Sequence, residues 1–425
     1  MINQILNDNV KYNVLSLINI LFGLAFIILL GRTFGAKVQT DSYFLSILII
    51  TYLGYFVQSF YEAMPPYYTG LKSKDLSSSS ELYFCLLNQI ISISLAIILF
   101  YFASTYAFDI VEGHLKPILD VFIFYLPLQN ILLLNKGILN LEKHYSSYYV
   151  VDIFVNIVLL LILLIKVEQE IVYLAYATII STALAILWQF QLIFKRINAR
   201  YRLIFYCTAQ KEVIKSSIKL KIGSLLYGGK DMILASVFTS YGAGMYTLFS
   251  YASKFSSIII QVVNAPIINI FAAKANNYVA DSKFKILNKK LKEVQIQIIP
   301  LFFIAGLTIY LFLPFFLDTL FKTSFSQEEF QTIINIFSVL LFFNFIVVLE
   351  SPFARISMAL KLFSKGMVVN LIFLIIMCFG FFFSKYFDLH YIKFLYFLLV
   401  AQSSNLFLYY IIYKLYLKSL DVKLF

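Results

Sequence analysis

Two adjacent charged residues, Lys230 and Asp231, lie in a segment that otherwise has the apolar composition of a membrane span. Lys254 lies in the next apolar segment, also far from either end. A charge at the centre of a bilayer costs roughly 2.5–3.5 kcal/mol on insertion scales. Such side chains therefore usually face the interior of a helix bundle or a hydrated cavity. These three residues are the first candidates for a binding site.

Each of these charges also has a structural explanation. Adjacent residues on a helix point about 100° apart, so we expect Lys230 and Asp231 not to neutralise each other and to need separate partners. Each then needs a partner across the bundle, or water, and the sequence leaves open whether the two residues are functional or form structural ion pairs. Lys254 could extend its apolar stem toward the membrane surface, but its position well inside the segment makes that reach long.

The composition defines the class of protein. Of the 425 residues, 61% are hydrophobic and 13% are charged, and the mean hydropathy is +0.85, whereas soluble domains carry about 25% charged residues. A soluble fold of this size could not bury so much apolar surface, so we predict a polytopic membrane protein. The net charge of +12 is typical of cytoplasmic loops rich in Lys and Arg. Nucleic-acid binding is not predicted, because the chain has no basic soluble face.

The cysteines and histidines do not indicate a cofactor or a metal site. Cys85, Cys207 and Cys378 are widely separated and lack the spacing of metal ligands, so we expect neither a metal site nor a disulfide. The three histidines lie in loops or at the ends of apolar segments. The predicted outer loops are too short for a catalytic domain, and no catalytic motif centred on histidine is visible. We therefore predict that the protein is not an enzyme.

Twelve segments are long and apolar enough to cross a membrane as helices. The predicted fold is therefore all-α, a polytopic bundle of about 12 transmembrane helices. The predicted spans are residues 12–35, 42–63, 82–108, 118–139, 147–165, 171–194, 216–238, 243–272, 294–317, 330–354, 366–385 and 390–413.

The distribution of Lys and Arg predicts the orientation of these spans. With the N-terminus inside, 25 of the 34 Lys and Arg residues fall on the cytoplasmic side and 7 fall outside, and Lys230 and Lys254 lie within spans. Because basic residues concentrate on the cytoplasmic side, we predict that both termini are cytoplasmic. The start of the chain lacks a cleavage pattern, so we expect the first span to remain as an anchor.

The longest basic loop, near residues 195–215, separates six predicted spans from six. We predict an N-terminal six-helix bundle over residues 1–200 and a C-terminal one over residues 201–425. A weak internal repeat agrees with this division, because a Gly-Ala turn precedes both the second and the eighth span, at Gly35 and Gly242. Parallel repeats of this kind are common in transporters.

Several short stretches resemble a known family. Residues 30–36 and 39–44 (LGRTFGA and QTDSYF) resemble the signature of the lipid II flippase (MurJ/MviN) family, and residues 63–67 fit the end of its second span. Residues 238–246 and 251–255 resemble its eighth span. These stretches also resemble polysaccharide flippases of the Wzx type, in the multidrug/oligosaccharidyl-lipid/polysaccharide exporter superfamily.

Two departures favour a carrier of another glycan lipid over a lipid II flippase. Lipid II flippases carry several arginines in their first two spans, whereas this chain is uncharged between Val14 and Leu30, and Arg32 is the sole arginine nearby. The chain also stops after twelve predicted spans, without the additional pair that lipid II flippases use for a lipid groove.

The resemblance implies a polyprenyl-diphosphate-linked oligosaccharide as substrate, translocated across the bacterial inner membrane by alternating access. An anionic head group cannot cross hydrocarbon unaided, so a cationic cavity is expected. Lys254 matches a basic position in the family's eighth span and is the first candidate to contact the diphosphate. Lys230, Asp231 and Arg32 are the other predicted substrate-binding residues. Asp41 is predicted either to cap the second span or to serve in coupling or gating.

Two further acids lie near predicted cytoplasmic ends of spans. Glu350 is predicted to be interfacial, and Glu62 either to be interfacial or to serve in coupling or gating. The alternative function is a cation-coupled multidrug exporter of the same superfamily, for which acids in the first three spans are expected; Asp41 and Glu62 are those available. The expected partners are the bilayer, the glycan lipid, and glycosyltransferases and a polysaccharide polymerase of the same pathway.

Overall fold

The computed structural model describes residues 2–421, apart from residues 73–74, 109–110, 112, 143, 145, 166–169, 198–200, 264–266, 281, 323 and 361. Within these residues all regular secondary structure is helical, so the all-α prediction is confirmed. The helices, in chain order, are α1 (Ile2–Phe34), α2 (Val38–Lys72), α3 (Leu76–Phe108), α4 (Leu115–Phe122), α5 (Tyr125–Leu141), α6 (Ser146–Leu164), α7 (Val172–Ile197), α8 (Thr208–Ser240), α9 (Met245–Val263), α10 (Asn269–Ala280), α11 (Phe284–Phe321), α12 (Gln327–Ala359), α13 (Phe363–Tyr386) and α14 (Tyr391–Asp421).

In the described part of the chain, eight helices are long and apolar enough to cross a membrane: α1, α2, α3, α7, α11, α12, α13 and α14. A ninth span is formed by α4 and α5 if the two are taken together. The other three predicted spans fall on α6, which is apolar but shorter, and on α8 and α9, which carry the intramembrane charges. Helices satisfy their own backbone hydrogen bonds in lipid, and the chain is a multi-pass membrane protein.

Two of the predicted spans are interrupted. The span predicted at residues 118–139 is divided between α4 and α5, which are bent by 42° at a turn formed by Ile123 and Phe124. In the span predicted at residues 243–272, α9 ends at Val263, and α10 begins at Asn269 after a short π-helical segment. Hydropathy is averaged over a window and does not register such breaks, which is why continuous helices were predicted.

The turns that precede α2 and α9 both require glycine. Gly35 has a φ of 64° and Gly242 has a φ of 123°, and Gly244 in the second turn has a φ of 84°. Residues with a side chain rarely adopt a positive φ, whereas glycine does so at no steric cost. The two Gly-Ala turns of the weak repeat therefore share a backbone requirement.

The chain divides into two compact units, Met1–Lys221 and Ile222–Phe425. The boundary lies inside α8, and the division into six-span bundles at residue 200 stays a prediction. In the first unit α1 packs on α6, and α5 packs on α2 and α7. In the second unit α12 packs on α9, α11 and α14, and α14 also packs on α13. Since α12 contacts the most neighbours, it lies at the centre of the second unit.

Candidate functional site

Lys230 lies on α8 in the second unit and is largely buried, with 13% of its side chain exposed. Its Nζ is 3.2 Å from Asp231 Oδ2 and 4.0 Å from the centre of the Tyr227 ring. The expectation that Lys230 and Asp231 would not neutralise each other is therefore wrong. The flexible lysine stem bends the ammonium toward the neighbouring carboxylate, and the aromatic ring adds a second favourable contact to the cation.

Glu350 on α12 and Gln402 on α14 extend this polar region. The Tyr227 hydroxyl lies 3.5 Å from Gln402 Oε1, and Gln402 Nε2 donates a hydrogen bond to Glu350 Oε2. Glu350 is buried, with 8% of the residue exposed, so the prediction that it is interfacial is wrong. The physical reason is that α12 continues past it to Ala359 while packed on α14, which keeps the carboxylate inside the unit.

We call Tyr227, Lys230, Asp231, Glu350 and Gln402 the α8–α12–α14 cluster. It holds one cation and two carboxylates on membrane helices. Opposite charges in such a site stabilise one another, and removing one partner leaves an uncompensated charge. The cluster thus has one acidic residue more than it has basic residues.

Asn405 is a further buried polar residue next to this cluster. It lies three residues after Gln402 on the same face of α14, is fully buried, and has no hydrogen-bond partner for either amide atom among the described residues. Buried amides in proteins are nearly always hydrogen-bonded, often through ordered water. Hydropathy did not indicate this residue, because one asparagine barely changes the mean hydropathy of an apolar helix.

Lys254 has a different environment from Lys230. It lies in the middle of α9, its side chain is exposed, and no carboxylate of the described residues lies within ion-pair distance of it. The Lys230 charge is already engaged by Asp231, whereas Lys254 forms no such pair with the described residues.

The remaining predicted site residues, Arg32, Asp41 and Glu62, belong to the first unit. Arg32 is exposed in the last turn of α1. Asp41 is buried and lies in the first turn of α2, which begins at Val38. The helix thus starts earlier than predicted, and Asp41 is not its N-cap, although a carboxylate in the first turn still favours the helix dipole. Glu62 lies in α2, and its side chain is outside the described part of the structure.

A second intramembrane ion pair was missed in the sequence. Lys136 Nζ on α5 is 2.6 Å from Asp152 Oδ1 on α6, with 6% of the lysine side chain and 31% of the aspartate side chain exposed. The preceding residue, Asn135, accepts a hydrogen bond of 2.8 Å from Tyr83 of α3. These contacts connect three helices of the first unit. Both charges fall inside predicted spans, at residues 118–139 and 147–165, so the apolar context of each was visible in the sequence although the pairing was not.

Cys85 and Cys207 are neighbours in the fold despite their separation in the chain, and both are free thiols. Gln210 Oε1 accepts hydrogen bonds from the Cys85 thiol at 3.3 Å and from the Cys207 backbone amide at 3.2 Å. The hydrogen bond with Cys85 lowers the pKa of Cys207 to about 7. In the described part of the chain, no group of three or more His, Cys, Asp and Glu side chains could hold a metal ion.

The arrangement of helices is also found in solved membrane transporters. The lipid II flippase MurJ, in an inward closed conformation, has a TM-score of 0.76 to this chain at 15% identity, over 95% of this chain and 87% of MurJ. An inward-facing multidrug resistance MATE family transporter of the MOP superfamily has a TM-score of 0.69 at 13% identity, over 97% and 99% of the two chains. A MOP superfamily transporter from Pyrococcus furiosus has a TM-score of 0.66 at 15% identity, over 97% and 96%.

These similarities define the class of protein at the level of the fold. No protein-family model and no curated protein matches the chain, and all three structures are less than 25% identical to it. The chain has the fold of the flippases and transporters of the MOP superfamily, as its motifs predicted. These three solved structures are a flippase and two transporters.

Proposed function

We propose that this protein is a flippase that translocates a polyprenyl-diphosphate-linked oligosaccharide across the bacterial inner membrane by alternating access. The observation that carries the proposal is Lys254, an exposed lysine halfway along α9 with no carboxylate within ion-pair distance among the described residues. Such a charge is costly in hydrocarbon, so it needs water or an anionic ligand. A diphosphate is such a ligand, and the lysine ammonium offers rotatable donors to its oxygens.

The other charges have separate roles in this proposal. Lys230 shares its charge with Asp231, so these two side chains contact sugar hydroxyls of the head group rather than the diphosphate. Arg32, exposed at the end of α1, is a further substrate-binding residue. Asp41 and Glu62 serve in coupling or gating. Both termini are cytoplasmic, and glycosyltransferases and a polymerase of the same pathway supply the substrate and consume the product.

The first test is substitution of Lys254. In a strain whose own copy has been deleted, the wild-type protein should restore surface polysaccharide, and Lys254→Ala at equal abundance in the membrane should not. Lys254→Arg should restore part of it, because the charge is kept while its geometry changes. Lys285→Ala, which removes an exposed lysine from the start of α11, is the matched control and should behave as wild type.

Direct transport separates a defect in flipping from a defect in expression. Wild-type protein in vesicles should move a fluorescent polyprenyl-diphosphate oligosaccharide between leaflets, and Lys254→Ala should slow this movement at least about tenfold, the loss expected for one charge-assisted contact. Wild-type rates for Lys254→Ala in both assays would show that Lys254 is structural, and the proposed function would lose its main support.

A cation-coupled multidrug exporter is the second candidate, and the α8–α12–α14 cluster is the observation that favours it. The cluster carries an excess of acid inside the second unit, as expected of a site for a coupling cation or a cationic drug. Expression in a drug-sensitive strain tests this function. A rise in resistance to cationic compounds that is lost in Glu350→Gln, with no movement of glycan lipid, would favour the exporter over the flippase.

A further inference from the structure

A cavity of about 160 Å³ lies in the second unit between α10 and residues 290–297 of α11. Its polar wall is formed by Lys274 of α10 and by Lys290, Glu293 and Gln297 of α11. The three α11 residues are spaced three and four positions apart, which places them on one face of the helix. We call this cavity the α10–α11 pocket. It shares no residue with the α8–α12–α14 cluster.

The charges of the pocket favour an anion. Lys290 Nζ lies 2.5 Å from Glu293 Oε2, so these two groups are neutral as a pair, but the ammonium has further donors to offer. Lys274 is exposed, and no carboxylate of the described residues lies within ion-pair distance of it. Lys289 adds positive potential at Glu293. Two pocket lysines and a nearby third thus outweigh one carboxylate.

The remaining wall of the pocket is apolar and is formed by Ile267, Phe271 and Val294. Contact with such a wall does not favour the binding of a small hydrated anion, because its hydration shell would have to be removed. A ligand with hydrocarbon next to its phosphate gains binding free energy from both walls, since apolar area is removed from water while the lysines contact the phosphate. The pocket therefore suits an amphiphile.

The depth of the pocket agrees with this ligand. The helix α11 has 38 residues, or about 57 Å of helix, which exceeds the roughly 30 Å hydrocarbon thickness. Its predicted span starts at Val294, so Lys290 and Glu293 lie at the level of the lipid head groups and Gln297 lies one turn deeper. Basic pockets between membrane helices on the cytoplasmic side are suited to acidic head groups.

We propose that the α10–α11 pocket binds the phosphate group of an anionic phospholipid. Lys274 and Lys290 contact the phosphate oxygens, and the Gln297 amide donates a hydrogen bond from the deeper side. Ile267 and Phe271 contact the first carbons of the lipid. The site is independent of the translocated cargo, because it uses neither Lys254 nor the α8–α12–α14 cluster.

Lipid binding to the full chain tests the proposal. Protein in nanodiscs that contain phosphatidylglycerol and phosphatidylcholine is analysed by native mass spectrometry for retained lipid. Wild-type protein should retain phosphatidylglycerol, and the Lys274→Gln/Lys290→Gln variant should bind it at least about tenfold more weakly. Lys283→Gln/Lys285→Gln removes the same charge from positions outside the pocket lining and should bind as wild type.

Two further variants keep the test valid if the double variant folds poorly. Glu293→Gln removes the carboxylate that competes with the phosphate, so it should bind phosphatidylglycerol more tightly than wild type. Gln297→Leu keeps every charge and should weaken binding. Far-ultraviolet circular dichroism checks that each variant is folded.

Soluble phosphates identify the source of the bound group. If glycerol phosphate or inorganic phosphate stabilises the detergent-solubilised protein through Lys274 and Lys290 as well as the lipid does, the phosphate site is supported but its ligand is soluble. The proposal is overturned if wild-type protein does not prefer phosphatidylglycerol to phosphatidylcholine. It is also overturned if the pocket variants and the control variant bind phosphatidylglycerol equally.

Discussion

At the scale of single residues, charged side chains on the membrane helices lie next to polar or oppositely charged groups that stabilise them. Glu350 is buried and accepts a hydrogen bond from Gln402, and Lys230 lies against both Asp231 and the ring of Tyr227. A carboxylate in hydrocarbon without such contacts would be unstable. The arrangement supports two roles for Glu350, either holding the second unit in shape or carrying a charge that transport uses.

Substitution of Glu350 by glutamine separates these two roles. The amide keeps the volume of the side chain and can still accept a hydrogen bond from Gln402, so the midpoint of thermal unfolding should change little. Transport should fall at least about tenfold, because the lost charge is no longer available to Lys230 or to a bound cation. Glu328→Gln on the exposed first turn of α12 is the control. Equal transport by wild type and Glu350→Gln would show that the charge of Glu350 is not used.

The ion pair of the first unit yields a stability prediction. Lys136→Met leaves Asp152 without its partner and should lower the free energy of unfolding by about 3 kcal/mol, the lower end of the range for a broken buried pair because Asp152 keeps some exposure. Lys136→Met/Asp152→Leu removes both charges and should recover most of that loss. Denaturation in detergent measures both. A double variant as unstable as the single one would show that the packing, rather than the unpaired charge, sets the cost.

At the scale of helices, α13 and α14 approach so closely that one position requires glycine. A Cβ at Gly380 would lie 2.6 Å from the ring of Phe397 on α14, far inside van der Waals contact. Small residues at such positions allow membrane helices to pack tightly. This close approach contributes to holding the last two helices of the second unit together.

Gly380→Ala should therefore lower the free energy of unfolding by about 1–3 kcal/mol, the usual cost of overpacking. Gly70→Ala on α2 is the control, because a Cβ there meets no atom within 4 Å and alanine favours the helix. Thermal unfolding of wild type and the two variants in one detergent measures the cost, and a neutral Gly380→Ala would contradict the close packing.

At the scale of the whole molecule, the asymmetry of Lys and Arg predicts the topology. The first turns of α11 are basic and predicted to be cytoplasmic, whereas the first turn of α12 is acidic and predicted to lie outside. In a background with Cys85, Cys207 and Cys378 replaced by serine, a cysteine at Lys283 should be labelled only from the cytoplasm. A cysteine at Glu328 should be labelled only from outside. Both positions are exposed, and labelling of the two from the same side would overturn the predicted orientation.

The amino-acid sequence alone predicts a multi-pass helical membrane protein, and its short motifs indicate the superfamily fold. Both depend on local properties. A segment of about 20 apolar residues satisfies its backbone hydrogen bonds within itself when it forms a helix in lipid. Each span can therefore be predicted from its own residues. The requirement for glycine at positions 35 and 242 is also local, because the turns need a positive φ at those residues.

Which charges pair with one another depends on the packing of the helices and was not predictable from the sequence. Gln402 is 52 residues from Glu350 in the chain, and Lys136 is 16 residues from Asp152, so neither pairing is visible in the spacing along one helix. The partner of a side chain depends on how each helix is rotated about its axis and on which helix packs beside it. That is why Lys230 and Lys254, equally prominent in the sequence, differ in the structure: the first is engaged by Asp231 and the second is exposed.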